Sequence, residues 1–435
     1  MHIKFAHVSD CHLGGWRKDT LNLLGCQAFS QMVDKIIEEE VDFVVISGDL
    51  YDVSNPTVEV VDLTTKELKR LHDKGIPVYG IMGSHDFSPS GKSMLRPLIS
   101  AGFFKNVSKP IWMEDTDFPI RLELFEDEKT KIKLTGMRAR KKGLELDDYQ
   151  KLDFAFLEKE SGPKIFLLHT MLSELKPLEY QNMESGPKSI LPRNFLYYAG
   201  GHIHKTIPEE LREGLYVITN RSALVKKVVY PGCLAPTNFL ELEKQQYGGF
   251  CIVSGEIPNG DLEVKYVKLP IKEVFRLFVD ANSKSSVEVK DILDQEISRG
   301  SFNDKIVLVR IEGSLSSGKS YDIQANDVVQ KLKDKGAYEV LLNKTKLISE
   351  AYEKISIDSG ETNENIEARL IHEHVQKTDI LDISKDKLKQ KINQLFSALG
   401  RDIKEGEKVR EYDQEILESF YTILDINFKE GEEGK

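Results

Sequence analysis

The sequence predicts an α/β protein with two smaller parts at its C-terminal end. Three observations predict this class. Short apolar runs alternate with helix-like segments over residues 1–268, residues 269–350 repeat the alternation on a smaller scale, and two amphipathic helical patterns follow within residues 384–426. At 435 residues, 40% of them hydrophobic, the chain is long enough for two or three domains with at least one large core.

Five apolar runs give the strands expected in the first domain. They are residues 3–8, 41–46, 76–82, 165–168 and 196–199. Between the first two runs, residues 28–39 have the apolar spacing of a helix. A further run at 249–253 is expected to close this domain near residue 268.

The remainder of the chain divides into three expected parts. A smaller α/β unit at 269–350 should contain a helix at 287–298, a strand at 305–311 and a helix at 325–333. Residues 351–383 are polar and acidic with little periodicity, which predicts a linker. Two amphipathic helices follow within 384–426, with stripes too short for a stable independent bundle. The stripe residues are Leu388, Ile392, Leu395, Phe396 and Leu399 in the first helix, and Tyr412, Ile416, Leu417, Phe420 and Leu424 in the second.

Charge and apolar content narrow the function classes. The net charge of −11 argues against nucleic acid at first, but residues 350–435 carry 21 acidic and 13 basic residues, so most of the acidity lies in the tail. A nearly neutral body can still hold a local basic groove. No leader pattern and no apolar stretch of about 18 residues is visible, and the four cysteines have no metal or redox spacing. We therefore expect a cytoplasmic protein with reduced thiols and no membrane contact.

Candidate metal ligands follow each of the five apolar runs. The side chains are Asp10 and His12 after the first run, Asp49 after the second, Ser84, His85 and Asp86 after the third, His169 after the fourth, and His202 and His204 after the fifth. In open α/β sheets, ligands bind beyond the carboxyl ends of the strands, so these groups are expected to converge. On an extended segment, side chains two positions apart point to the same side, which predicts that Asp10 pairs with His12 and His202 with His204.

Imidazoles and carboxylates in this number suit two divalent cations, which could share a carboxylate such as Asp49. Two such ions stabilise the attacking and leaving oxygens of a phosphoryl displacement, so no Ser or Cys nucleophile is required. The alternative interpretation is a set of unrelated loop and core histidines. Five of the ten histidines in the chain lie after these runs, and this favours the metal site.

The motif series resembles a known family. The patterns DxH, GDxxD, GSHD, a strand-terminal His and GHIH are similar to those of the calcineurin-like metallophosphoesterases. Within them, the chain resembles the SbcD-type nucleases and their meiotic-recombination relatives, which repair DNA double-strand breaks. The resemblance is carried by residues 4–14, 47–52, 201–205 and 230–234, and it covers about residues 1–268.

This resemblance implies a two-sheet sandwich flanked by helices, with a smaller α/β capping domain at 269–350 and a C-terminal helical hairpin. It implies one metal held by Asp10, His12, Asp49 and His204, and a second held by Asp49, Ser84, His169 and His202, with His85 as the catalytic histidine. The implied ion is Mn²⁺ and the implied activity is exonuclease and endonuclease cleavage of DNA ends. A homodimer through helices near 58–71 and 94–101 is also implied. A coiled-coil, SMC-like repair ATPase is expected to bind the helix-loop-helix at 384–426.

Two positions depart from the family pattern. The family has Asn where this chain has Ser84, and a neutral hydroxyl is a shorter and weaker ligand than an amide oxygen. The second ion is therefore expected to bind either adequately or only loosely, and both outcomes stay open. Some relatives also carry a second histidine three residues after the GD aspartate, where this chain has Asp52.

Weaker signals concern phosphate contact. Basic residues near the site that could contact the DNA backbone are Lys92, Arg138, Arg140, Lys141 and Lys142. Residues 313–320 match a phosphate-binding loop pattern, but the helix expected to follow begins too late for a phosphate cradle. A polar turn is the favoured interpretation.

Three functions therefore compete. The first is a manganese-dependent nuclease at DNA ends. The second is a phosphodiesterase or phosphatase for small nucleotides or phosphoproteins, and the third is a DNA-end-binding scaffold with weakened nuclease activity. The additional domain and C-terminal helices disfavour the second, and the presence of His85 with the other candidate ligands disfavours the third.

Overall fold

The computed structural model describes residues 1–88, 92–140, 143–258, 260–349, 384–401 and 409–425, together with Ala368, Leu370, Ile371 and Val375. Residues 1–350 form one compact unit and residues 351–435 a second. The predicted linker at 351–383 lies almost entirely outside the described residues. None of the described helices has the length and apolar character needed to cross a bilayer.

The first sheet has seven strands in the order β11-β14-β13-β1-β2-β3-β4. Strands β1 to β4 are parallel neighbours. On the other side of β1, the successive pairs β1–β13, β13–β14 and β14–β11 are all antiparallel. The bounds are β1 His2–Val8, β2 Phe43–Ser47, β3 Val78–Ile81, β4 Lys105–Asn106, β11 Leu215–Ile218, β13 Gly248–Glu256 and β14 Leu262–Leu269.

The second sheet has five strands in the order β12-β10-β9-β8-β7, all parallel except β7. The bounds are β7 Phe125–Glu126, β8 Lys133–Met137, β9 Lys164–His169, β10 Tyr197–Gly201 and β12 Val228–Val229. A separate hairpin pairs β5 Pro110–Trp112 with β6 Ile120–Leu122.

The two sheets pack face to face. Phe5 and Val45 of the first sheet and Leu167 and Ala199 of the second belong to one buried apolar cluster. On β1 the alternate residues Ala6 and Val8 face the other way, into a cluster with the outer helices. This arrangement confirms the predicted two-sheet sandwich flanked by helices.

Helices cover both outer faces of the sandwich. The helices of residues 1–268 are α1 Asp19–Glu38, α2 Val58–Asp73, α3 Leu95–Ser100, α4 Glu145–Gln150, α5 Phe154–Lys159 and α6 Phe239–Gln245. Short 3-10 helices lie at Ser173–Leu175, Leu178–Tyr180, Lys188–Ile190, Glu209–Arg212 and Leu224–Lys227. Helix α1 begins nine residues before the predicted start, because Leu21 and Leu24 extend its buried stripe.

Residues 274–349 build a smaller four-stranded sheet around β16. Its elements are β15 Val274–Asp280, α7 Ser286–Arg299, β16 Ile306–Leu315, the 3-10 helix Ser320–Ile323, α8 Ala325–Asp334, β17 Glu339–Asn343 and β18 Leu347–Ser349. The predicted helices and strand are present. The phosphate-loop-like stretch is followed first by the 3-10 helix, and α8 begins only at Ala325, as predicted. The boundary at residue 269 stays a prediction, because this sheet lies in the same compact unit as the sandwich.

The C-terminal unit contains the two predicted helices, α9 Lys385–Leu399 and α10 Val409–Leu424. Ser384 caps α9 by accepting a hydrogen bond from the backbone N–H of Lys387. Ile371, Val375, Leu388 and Ile392 share a small apolar cluster.

Candidate metal centre

The predicted ligands lie at one edge of the sandwich. Strands β1, β2 and β3 of the first sheet and β9 and β10 of the second all direct their carboxyl ends to this edge. The backbone N–H groups of Asp10 and His12 donate to the carbonyls of Gly48 and Asp49, which ties the first two loops together. The backbone N–H of His202, which follows the second sheet, donates a hydrogen bond of 2.9 Å to Asp10 Oδ1.

The predicted ligands form two clusters, Asp10, His12, His204 and Asp49, His169, His202, and in each the potential ligand atoms lie within 4.8 Å of one another. His12 and His85 form a third such group with Asp52. Asp49 lies between them, because its Oδ2 is 3.6 Å from His12 Nε2 and 3.0 Å from His169 Nε2. The structure thus brings together the candidate ligands that the family resemblance implies, apart from Ser84, and Asp49 lies within reach of both clusters.

The strand alternation predicted to pair Asp10 with His12 and His202 with His204 is wrong. Asp10, His12 and His202 do not continue their strands in an extended conformation, because their φ angles are 49°, 43° and 88°. Asp49 has a φ of 51°. These left-handed conformations, rather than the alternation of a strand, aim the side chains at the site.

Two glycines make the close approach possible. A Cβ on Gly48, whose φ is +90°, would lie 2.3 Å from His169 Nδ1. A Cβ on Gly83 would lie 2.1 Å from Asp49 Oδ1. Neither distance is compatible with a larger residue in this arrangement.

The protonation pattern of the histidines fits a bound cation. His169 Nδ1 lies 2.7 Å from the carbonyl of Ser47, which only accepts, so Nδ1 carries the proton. His169 Nε2 is buried without a hydrogen-bond partner among the described residues, and it faces the Asp49 carboxylate. Two acceptors facing each other require a cation or a proton between them.

The first cluster repeats this pattern. His12 Nδ1 pairs with Asp52 Oδ1 at 3.0 Å, and His204 Nδ1 pairs with Glu241 Oε1 at 2.7 Å. Since carboxylates accept, both Nε2 atoms present lone pairs, and these are only 2.9 Å apart. Asp10 Oδ1 lies 4.0 Å from each of them. A divalent ion suits this donor set, because imidazole and carboxylate are its ordinary ligands.

Without a metal, protons would supply the missing positive charge. Burial lowers the pKa of His169, but Asp49 outweighs it and raises the pKa to about 10. Burial likewise opposes the charged form of His204, yet Glu241 and Asp10 raise its pKa to about 9. Burial raises the pKa of Asp49, whereas His169 and His12 reverse the shift and lower it below its ordinary value. His169 and His204 are therefore placed to hold positive charge, whereas burial and the neighbouring His169 lower the pKa of His202 to about 4.

Asp86 organises the two loops rather than the centre. Its Oδ1 accepts the backbone N–H of Tyr51 at 3.1 Å and its Oδ2 accepts that of Gly83 at 2.8 Å. Burial, with the Asp49 charge nearby, raises the pKa of Asp86 to about 6. Asp86 thus fixes the β2 and β3 loops against each other.

The loop after β3 places Ser84 and His85 at the rim. Ser84 Oγ lies 3.5 Å from Asp49 Oδ2, which is close to the second cluster but a weak contact. The backbone N–H of His85 donates to Asp49 Oδ1, and its Nδ1 pairs with the backbone carbonyl of Asp52. The His85 side chain is 46% exposed, so its Nε2 edge can face an incoming substrate.

The candidate DNA contacts differ among themselves. Lys92 and Arg138 are exposed, and the Arg138 guanidinium lies 5.9 Å from the ring of Phe87 in the His85 loop. Arg140 is half-buried and pairs with Asp148 at 3.0 Å, so part of its charge is already neutralised. Lys141 and Lys142 lie outside the described residues.

Cys11 is buried in the apolar cluster behind β1. Glu241 was not anticipated. The sequence signal at this position is Asn238 followed three residues later by Glu241, which marks a helix start, and Asn238 does cap α6. Nothing in that pattern indicates a contact with His204.

Comparison with known proteins identifies the domain that carries these clusters. Residues 3–206 match the family Calcineurin-like phosphoesterase. Three similar curated relatives are each named DNA double-strand break repair protein Mre11. The relative from Sulfolobus acidocaldarius is 25% identical over 92% of this chain and 88% of its own length. That from Sulfurisphaera tokodaii is 26% identical over 89% and 96%, and that from Saccharolobus solfataricus is 32% identical over 46% and 49%.

A solved glutamine-dependent NAD(+) synthetase from Cytophaga hutchinsonii aligns with a TM-score of 0.26 and 9% identity, a likeness too weak to bear on the fold. The family match spans the strands β1 to β10 that carry the two clusters. Residues 3–206 therefore carry a calcineurin-like phosphoesterase domain.

Proposed function

We propose that this protein is a metal-dependent DNA nuclease that processes the ends of double-strand breaks. The observation that carries the proposal is the pair of carboxylate–histidine clusters at the rim of the sandwich, with Asp49 lying between them. The curated relatives with the name DNA double-strand break repair protein Mre11 supply the substrate class. They match over most of the chain, including the parts that a small-molecule phosphoesterase does not need.

The cofactors in this proposal are two divalent cations, with Mn²⁺ as the expected ion. Asp10, His12 and His204 would hold one, His169, His202 and Ser84 the other, and Asp49 both. Bound cations of this kind activate a water molecule for attack and neutralise negative charge on the transferred phosphoryl group.

The residues of the chain would then act on the DNA phosphodiester. Water would attack phosphorus and lose a proton to solvent, the bond to the leaving oxygen would break, and that oxygen would receive the Nε2 proton of His85, which is replaced from solvent. The backbone carbonyl of Asp52 accepts a hydrogen bond from the Nδ1–H of His85, and this contact orients the ring with Nε2 outward. Arg138 and Lys92, both exposed near the same loop, would contact the phosphate backbone.

The proposal extends to partners. The helices α9 and α10 would dock on the coiled coil of an SMC-like repair ATPase, and α2 and α3 would form the contact of a homodimer. A DNA-associated, cytoplasmic protein fits this assignment.

The test is degradation of linear duplex DNA with Mn²⁺ by the wild type, His85→Ala and His2→Ala. His85→Ala should reduce cleavage by about 100-fold or more, because positioned proton donors contribute about 10²–10⁴-fold. His2 is exposed and lies outside the centre, so His2→Ala should cleave normally. Manganese binding should be the same in all three proteins.

Equal cleavage by His85→Ala and the wild type would overturn the role of His85. A parallel assay with a p-nitrophenyl phosphodiester separates the substrate classes. Hydrolysis of the small diester without cleavage of DNA would favour a small-nucleotide phosphodiesterase instead.

A further inference from the structure

Helix α6 carries a mostly buried carboxylate that is directed at a candidate metal ligand. Glu241 Oε1 accepts the Nδ1–H of His204 at 2.7 Å, and the Glu241 side chain is 13% exposed. Its second oxygen, Oε2, accepts the backbone N–H of Thr237 at 2.8 Å and the Thr237 hydroxyl at 3.2 Å. Both carboxylate oxygens are therefore occupied, and the side chain is held in one orientation.

This contact decides which nitrogen of His204 is free. Because a carboxylate accepts hydrogen bonds, the proton lies on Nδ1 and the lone pair on Nε2. That Nε2 lies 2.9 Å from His12 Nε2 and 4.0 Å from Asp10 Oδ1. The lone pair thus points into the centre of the first cluster.

We propose that Glu241 is a positioning residue that holds His204 ready to bind the first cation. The inference rests on the metal centre of the proposed function, and it adds a residue that lies beyond the matched domain at 3–206. A carboxylate behind a metal-bound imidazole fixes the orientation of the ring and raises its basicity, and losing such a partner commonly costs about 10–100-fold in metal affinity.

The experiment measures manganese binding by isothermal titration calorimetry on the full-length protein after chelator treatment. The proteins are the wild type, Glu241→Ala, Glu241→Gln and the control Glu209→Gln. Glu209 is an exposed carboxylate that pairs with Lys205, next to His204 in the chain. Glu241→Ala should weaken the affinity for one manganese ion by about 10–100-fold and leave the affinity for the other unchanged.

Glu241→Gln should lose less manganese affinity, because an amide oxygen can still accept a hydrogen bond from His204 Nδ1. Some loss is expected, since the amide NH₂ group then faces the backbone N–H of Thr237. The control should bind both ions like the wild type. Thermal unfolding of the metal-free proteins checks that the variants fold. Wild-type affinity for both ions in folded Glu241→Ala would overturn the proposal.

A second readout separates positioning from general loss of structure. In a His204→Ala background, adding Glu241→Ala should cause no further loss of manganese affinity, because Glu241 acts through His204. Additive losses would contradict the inference. Binding of two ions without cleavage of DNA would overturn the proposed nuclease function and leave the role of Glu241 standing. Absence of manganese binding by the wild type would overturn the role of Glu241.

Discussion

The ligand residues combine unfavourable backbone angles with dense packing. Asp10, His12, Asp49 and His202 all have positive φ. A residue other than glycine in this region costs on the order of 1–3 kcal/mol, and it persists only where surrounding contacts enforce it. Here the hydrogen bonds between the β1 and β2 loops supply those contacts. The strain is consistent with selection of this edge for chemistry rather than for stability.

Ser84 gives the prediction at the scale of a single residue. Ser84→Asn should tighten binding of the second ion by roughly tenfold, about 1.4 kcal/mol, because an amide oxygen is the better ligand and reaches further. The measurement is the Mn²⁺ concentration that gives half-maximal cleavage of DNA. Ser84→Ala is the matched control and should not improve binding. An unchanged manganese dependence in Ser84→Asn would mean that the hydroxyl already serves adequately.

At the scale of elements, the short helix α6 joins the metal centre to the four-stranded sheet. On one side, Glu241 contacts His204. On another, Leu242 shares an apolar cluster with Ile306 and Leu308 of β16. A helix of seven residues has little stability of its own, so its position depends on these tertiary contacts.

Arg310 on β16 holds this helix by a two-point contact. Its Nε and its terminal nitrogen each lie 2.6 Å from one oxygen of Glu243, and its guanidinium lies 5.0 Å from the Phe239 ring. Arg310→Met retains an apolar stem and removes both hydrogen bonds, so the free energy of unfolding should fall by about 1.5–3 kcal/mol. Manganese affinity at the His204 site should fall severalfold, because α6 then holds Glu241 less firmly.

Urea unfolding and calorimetric titration check the two effects. Lys346→Met is the control, since this exposed lysine on the same part of the chain lies 4.0 Å from Glu312 and contacts no part of α6 in the ion pairs described. Lower stability with unchanged manganese affinity in Arg310→Met would mean that Leu242 alone suffices to place the helix.

At the scale of the whole molecule, the two sheets meet over an apolar interface. Within this interface, the buried side chain of His7 makes two hydrogen bonds. Ser47 Oγ donates to the carbonyl of Ala199 in the second sheet and therefore accepts from His7 Nε2. His7 Nδ1 in turn accepts from the Tyr197 hydroxyl at 2.9 Å. The imidazole is thus neutral, and burial lowers the pKa of His7 to about 3.

This histidine predicts loss of stability in acid. The ordinary pKa of 6.5 applies to the unfolded chain, which therefore binds a proton between about pH 6.5 and 3 that the folded protein does not. The contribution of His7 to the free energy of unfolding is fully present above about pH 6.5. It is lost as pH falls, by about 1.4 kcal/mol per pH unit at most. Urea unfolding of metal-free protein at pH 7.5 and 5.5 should show a larger loss for the wild type than for His7→Asn. Equal losses would contradict a buried neutral His7.

The fold class and the convergence of the candidate ligands follow from local sequence patterns. Apolar runs of four to seven residues mark strands, and polar residues that come directly after parallel strands must meet at one edge, so Asp49 and His169 could be placed together although they lie far apart in the chain. Such predictions succeed because they need only the direction of each strand. Strand β8 escaped prediction because its sequence, Lys133–Met137, has no continuous apolar run.

Only the tertiary structure assigned the groups that orient the ligands. Asp52 meets His12 across 40 residues and Glu241 meets His204 across 37, and neither spacing has a periodic signal. The left-handed conformations at Asp10 and His12 arise from hydrogen bonds to the neighbouring β2 loop, which a single segment does not contain. Local sequence thus determined which residues reach the centre, whereas the packing of distant segments decided how each side chain is turned within it.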